Sequence, residues 1–225
     1  MPNTAEVCQE AHTTHIDENI RHEGTLPREQ ITPRPVYGFV KRLFDIICSA
    51  AGLVVLLVPM VIVAVLIRLD SKGPAVFKQQ RVGRYGKEFT IYKFRTMKLT
   101  APSEVASREF KDPEQHVTKL GAFLRRTSID ELPQLVNILR GDMSIVGYRP
   151  VCLTETKLNN LRMEYGVFAL RPGITGLAQV SGRDNVTYEK KALLDAQYVK
   201  GCSAKMDAFC LAKTVKIVLT GEGVN

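Results

Sequence analysis

Asp130 and Glu131 stand side by side in the stretch TSIDELPQL, inside a chain that is otherwise basic. The pair admits two readings. Ser128-Ile129-Asp130-Glu131 fits the Ser-x-x-Glu capping box, and acidic residues are favoured in a first helical turn. Pro133 would be tolerated there because it lies near the helix start. On this stretch alone, capping is the simpler reading. The surroundings favour chemistry. Arg125 and Arg126 lie one turn before, and Arg140 and Arg149 follow. A helix N-terminus also attracts phosphate. Carboxylates among cations suit a metal ion shared with a phosphorylated substrate, since Mg²⁺ takes one or two carboxylates plus phosphate oxygens. A carboxylate can also be the nucleophile of phosphoryl transfer. Adjacent helical residues point about 100° apart, so the two carboxylates are expected to hold different roles.

Composition bounds what surrounds this pair. The 225 residues carry 31 Lys+Arg against 23 Asp+Glu, a formal charge of +8. That length suits one globular domain with something added. The basic balance suits an anionic partner: nucleic acid, phospholipid headgroups or phosphorylated substrates. Trp is absent and aromatics make up 7%, which supplies single-strand stacking platforms poorly. With no helix-turn-helix or zinc pattern, no nucleic-acid partner is expected. Cys8, Cys48, Cys152, Cys202 and Cys210 are scattered and form no CxxC pair, which argues against a disulfide framework and suits a reducing compartment. His12 and His15 are read as solvated polar residues rather than metal ligands.

Several elements must position the dyad. Residues from Met1 to about Pro35 lack a sustained apolar period and read as a loosely ordered extension with no signal-peptide core. Ile46 to Ile67 follows without a charge; as a helix this is about 33 Å, long enough to cross a hydrocarbon core. Pro59 interrupts it, and Lys41, Arg42, Arg68 and Lys72 flank both ends. Proline bends or breaks a helix, and basic flanks stay on the cytoplasmic side. A re-entrant helix that bends at Pro59 satisfies both observations and is preferred over a span.

AVFKQQRVGRYGKEFTIYKF then reads as a basic hairpin around Gly83 and Gly86. Ala101 to Gln115 reads as loop with some helix, and VTKLGAFLRRTSIDELPQLVNILRGDMSIVGYRP as amphipathic helix with Gly- and Pro-containing turns. RPGITG, Arg171 to Gly176, reads as a tight turn. The tail AKMDAFCLAKTVKIVLTG has helical spacing with Lys205, Lys213 and Lys216; a membrane surface and the core are equally open to it.

With these segments in view, the chain resembles the monotopic phosphoglycosyl transferases, the bacterial sugar transferase family that starts glycan assembly on a lipid carrier. The resemblance rests on VKRLFDIICSAAGL, LDSKGPAVFKQQRVGRYGKEFTIYKFRTM, LGAFLRRTSIDELPQLVNILRGDMSIVGYRP, RPGITGLAQVSGR and LLDAQYV, and covers about Tyr37 to Gly221. It implies an α+β, mainly helical fold: a re-entrant helix-break-helix, then a compact cytoplasmic domain with a small β-hairpin and amphipathic surface helices. The expected division is 1–36 extension, 37–70 membrane helix, 71–221 catalytic domain and 222–225 tail.

The activity implied is transfer of a phosphosugar from a UDP-sugar to polyprenol (undecaprenyl) phosphate, releasing UMP, as the first membrane step of bacterial exopolysaccharide or lipopolysaccharide assembly. The resemblance implies Mg²⁺, held by Asp130 and Glu131, with Asp130 the nucleophile of a covalent aspartyl-phosphosugar intermediate. Arg125 and Arg149 are expected to bind substrate phosphate, with Lys93 and Arg95 in support. The expected setting is the cytoplasmic face of the inner membrane, in contact with its lipid, with a homodimer allowed. The sequence departs from the family pattern twice. Val58-Pro59 stands where Ser-Pro is common, and Gly147-Tyr148-Arg149-Pro150 replaces a GPRP loop, a change expected to loosen that turn. The rival class is a membrane-anchored adaptor that keeps the fold without catalysis; the intact dyad speaks against it.

Overall fold

The structure is a computed structural model that describes residues 35–102, 112–182 and 187–220. Residues 1–34 of the expected N-terminal extension and the 222–225 tail lie outside the described residues, while Pro35 and Val36, expected in the extension, already belong to the first helix. Helix α1 is Pro35–Asp70, 36 residues or about 54 Å at 1.5 Å per residue. Helical structure continues through Pro59, so the expected break does not interrupt the helix. Proline removes only its own N–H from the ladder.

Most of α1 is bare: its most apolar 18-residue window is 6% buried, and Val54, Val55, Leu57 and Val58 are exposed. One edge is docked at both ends. Near the start, Arg42 donates to the carbonyls of Ile138 and Leu139. Asp45 accepts from the Ile145 N–H, while Tyr37 and Lys41 both bond Asp207. Toward the far end, Met60, Val63, Ala64 and Ile67 pack with Phe94, Leu124, Ile129 and Leu132.

Strands β1 (Val76–Val82) and β2 (Glu88–Phe94) pair antiparallel, Val76 opposite Phe94 and Val82 opposite Glu88. The expected hairpin is present. Its turn places Tyr85 at φ 60° and Gly86 at φ 71°, the left-handed conformation that favours glycine. A short helix α2 (Pro113–His116) precedes α3 (Lys119–Arg126). The Thr118 hydroxyl caps α3 by accepting from the Gly121 N–H at 2.9 Å. Gly121 is forced by close approach, because a Cβ there would lie 2.0 Å from the Thr96 carbonyl oxygen.

The stretch from Thr127 corrects one expectation. Ser128 sits at φ 58° and makes no side-chain cap. Ile129–Glu131 form a single 3₁₀ turn, and α4 (Gln134–Arg140) begins only after Pro133. The capping box is absent because the Glu131 carboxylate is engaged elsewhere.

Strands β3 (Ser144–Val146) and β4 (Gly173–Thr175) pair in parallel, with α5 (Thr156–Glu164) in the connection. RPGITG is therefore part strand rather than a tight turn. Its glycines permit backbone contact: a Cβ on Gly173 would lie 2.1 Å from the Gly147 nitrogen, and one on Gly176 would lie 1.8 Å from the Gly147 oxygen. Short α6 (Leu177–Val180), α7 (Tyr188–Gly201) and α8 (Ala204–Thr220) complete the described chain. The main core gathers Val146, Tyr148, Val167, Phe168, Tyr198, Val199 and Cys210. Of the two settings left open for the tail, the core is occupied by one side of α8, while several apolar residues on α8 stay exposed. Cys210 is buried and Thr214 bonds Thr175 at 2.6 Å, while Phe209, Val215, Val218 and Leu219 face outward. The α+β, mainly helical architecture matches expectation.

Candidate active site

The 3₁₀ turn fixes the dyad. Ile129 and Leu132 bracket it and pack in the cluster that α1 shares with Phe94 and Leu124. The two carboxylates between them are thus mounted against the apolar helix and face different surroundings. Glu131 Oε1 accepts from Lys93 Nζ at 2.7 Å and from Arg149 Nη2 at 2.9 Å. Burial alone would raise its pKa, but the two cations outweigh it and hold the carboxyl at about 2. Asp130, 8% exposed, forms no hydrogen bond or ion pair with any described residue. Burial pushes its pKa upward; Lys93, Arg149 and Arg125 pull the other way and Glu131 adds to the rise. One carboxylate is clamped and the other is open.

Arg125, at the end of α3, donates from Nε to the Thr96 hydroxyl at 2.9 Å. Burial lowers its pKa and the nearby Asp130 charge opposes that. Its position follows from Gly121, which lets α3 lie directly on the Thr96 backbone. Lys93 reaches the dyad from β2, so the hairpin supplies a side chain to the site. The sequence reading therefore brought Asp130, Glu131, Arg125, Arg149 and Lys93 to one place.

Arg95 departs from that group. Its guanidinium donates to the carbonyls of Ser71 and Lys72, both at 2.7 Å. It closes the C-terminal end of α1, where free carbonyls favour a cation, so both of its terminal nitrogens are engaged by backbone. Glu131, expected as a metal ligand, has its Oε1 already shared by the Lys93 and Arg149 cations. Where the loop lacks the proline, the Tyr148 ring is buried and packs edge-on against Phe168 at 5.6 Å.

Among the described residues no group of three or more His, Cys, Asp or Glu side chains could hold a metal. Mg²⁺, where it is shared with substrate phosphates, takes one or two carboxylates rather than a full protein cage. Asp130, whose carboxylate bonds no other described residue, has the donor chemistry such an ion would need. Sequence reasoning did not single out Thr96, which accepts from Arg125, or Arg81, Arg162 and Asp195, which lie behind the Arg149 loop. Arg81 was one basic residue among many in the hairpin, and Arg162 lies in a polar stretch that carries no apolar period to mark it as buried.

An acidic dyad set among cations, against an apolar helix, is a class of site suited to phosphate-bearing ligands at a membrane surface. The chain belongs to the bacterial sugar transferase family, whose pattern it matches over residues 36–221. It is 40% identical over 199 residues to the undecaprenyl-phosphate galactose phosphotransferase of Salmonella typhimurium, covering 82% of this chain and 41% of that protein. It is 37% identical over 210 residues to the UDP-N-acetylgalactosamine-undecaprenyl-phosphate N-acetylgalactosaminephosphotransferase of Aeromonas hydrophila, covering 91% of this chain and 49% of that one. These two relatives are about twice as long as the region they share. The exopolysaccharide production protein ExoY of Rhizobium meliloti is 35% identical over 215 residues, and there the match spans 88% of this chain and 93% of the relative.

Proposed function

We propose that the protein transfers a phosphosugar from a UDP-sugar to undecaprenyl phosphate, releasing UMP, on the cytoplasmic face of the bacterial inner membrane. The observation that carries this reading is the division of labour in the dyad: Glu131 is clamped by Lys93 and Arg149, while Asp130 is left open beside three cations. An open carboxylate in such a field can attack phosphorus. The two relatives named for undecaprenyl-phosphate sugar transfer support the substrate class.

In the first step an Asp130 oxygen bonds to the β-phosphorus. The bond from that phosphorus to the bridging oxygen breaks, and UMP departs with the bridging oxygen. In the second step a phosphate oxygen of undecaprenyl phosphate attacks the same phosphorus. The acyl-phosphate bond breaks, Asp130 is restored as a carboxylate, and a diphosphate-linked sugar remains on the lipid. Mg²⁺ bound with Asp130 and the donor phosphates would supply charge neutralisation at the phosphate oxygens. Arg125 and Arg149 hold those oxygens by charge-assisted hydrogen bonds, and Lys93 keeps Glu131 ionised and in place. The acceptor phosphate needs no strong base near neutral pH.

The anchoring of α1 supports a membrane-embedded helix that does not cross. A spanning helix separates its ends by about 30 Å of hydrocarbon. Here Arg42 and Asp45 near one end, and Met60 to Ile67 near the other, contact the same folded domain. With Ile129 and Leu132 resting on that helix, the dyad lies near the depth of a lipid phosphate.

The test is turnover of purified protein with Mg²⁺, undecaprenyl phosphate and a panel of UDP-glucose, UDP-galactose and UDP-N-acetylgalactosamine, with the released nucleotide identified. UMP release that disappears in Asp130→Asn supports the reading. Release of UDP would make the protein a simple glycosyl transferase, and undiminished UMP release by Asp130→Asn would remove Asp130 from the chemistry.

A further inference from the structure

Behind the Arg149 loop lies a buried ion pair that the proposed chemistry does not use. Arg162 of α5 is 0% exposed and Asp195 of α7 is 1% exposed. Arg162 donates to Asp195 Oδ2 from Nε at 2.9 Å and from Nη2 at 2.6 Å. Its third arm, Nη1, donates to the backbone carbonyl of Arg149 at 2.9 Å. The guanidinium also lies 5.2 Å from the centre of the Tyr148 ring. The next carbonyl, that of Pro150, accepts from Arg81 Nη1 at 3.3 Å.

Burying such a pair rarely adds net stability, since apolar residues of similar volume often do as well. What apolar residues could not do is reach the Arg149 carbonyl. Directional donors in one plane are a property of arginine, and lysine cannot meet the same acceptors together. The pair is also close to neutral as a unit, so it fixes the loop without a net charge behind the Arg149 guanidinium. That guanidinium, in turn, is the group bonded to Glu131.

We infer that Arg162 and Asp195 are positioning residues for Arg149: they fix its backbone so that its guanidinium meets Glu131 and the transferred phosphate. In this chain the Tyr148 ring, held between Phe168 and Arg162, takes the place of proline in stiffening the loop. The inference rests on Arg149 being a phosphate ligand, as proposed above.

A double-mutant cycle on the full chain tests it, read as UMP release with Mg²⁺, undecaprenyl phosphate and the best donor of the UDP-sugar panel. Arg162→Met combined with Asp195→Leu removes the pair while preserving volume. This variant should unfold cooperatively and lose turnover by about a hundredfold, the scale of a reacting group misplaced by an ångström. Arg162→Lys should not restore it. In an Arg149→Ala background the same two substitutions should cause less than about a twofold further loss, because the group they position is gone. An equal loss in both backgrounds would mean a structural role and overturn the inference, as would wild-type turnover of the Met/Leu variant. Should that variant fail to fold, Asp195→Asn takes its place in the cycle, and failure of both to fold equally overturns the positioning role. Wild-type turnover by Arg149→Ala alone would instead overturn the phosphate-ligand reading on which the inference stands.

Discussion

At Asp130 the needs of chemistry and of stability diverge. Its folded pKa lies above the ordinary carboxylate value because it is buried. The stability tied to its titration is therefore present at low pH and lost as pH rises through that value. Asp130→Asn should abolish turnover and also raise the neutral-pH melting temperature, by about 2–4 °C for each kcal/mol recovered; a lower Tm in a thermal unfolding scan would contradict this. Glu131 has the opposite sign. Held at about 2, it adds stability above the ordinary glutamate range that is lost only as pH falls toward that value. Glu131→Gln should lower stability at neutral pH by about 3 kcal/mol. Because the Glu131 charge raises the Asp130 pKa, the acid limb of the pH–rate profile should also move to lower pH. A limb that stays in place would show that Asp130 does not set it. The sequence made the two carboxylates visible and implied that their roles differ. It did not show which was open, because the clamp on Glu131 is built from Lys93 and Arg149, far apart in the chain.

Among the elements, α3 carries Arg125 and is seated by one glycine. Gly121→Ala would drive a Cβ to 2.0 Å from the Thr96 carbonyl oxygen, which backbone cannot yield cheaply. Denaturant unfolding should show a loss of about 2–4 kcal/mol, with reduced turnover as Arg125 shifts from Thr96. Gly86→Ala, at φ 71° in open space, should lose only about 1–2 kcal/mol and leave turnover unchanged. Equal effects would mean that α3 is not placed by this contact. The hairpin and the apolar helix were legible because their apolar patterns are local. Strands β3 and β4 were not: each has three residues, and their pairing depends on the close approach of Gly147 and Gly173, which looks like turn chemistry in sequence. The contacts of Arg95 were not legible for a related reason, since a basic residue beside the site and a cation closing a helix look the same until the carbonyls of Ser71 and Lys72 are placed.

For the molecule as a whole, the +8 charge and the bare apolar face of α1 are both compatible with membrane anchoring, and the proposed topology is open to a labelling test. Cysteine placed at Gly38 or Leu69, in a background lacking native cysteines, should react with an impermeant thiol reagent from the same side of sealed vesicles. Labelling from opposite sides would make α1 a true span. The central claim remains the covalent step on Asp130. The most direct measurement is the half-reaction: protein, Mg²⁺ and the UDP-sugar panel without undecaprenyl phosphate, with released UMP and intact protein mass recorded together. One equivalent of UMP, accompanied by a phosphosugar adduct that maps to Asp130, is the predicted result. UMP that appears only after undecaprenyl phosphate is added, with no change in protein mass, would contradict it and make the transfer direct.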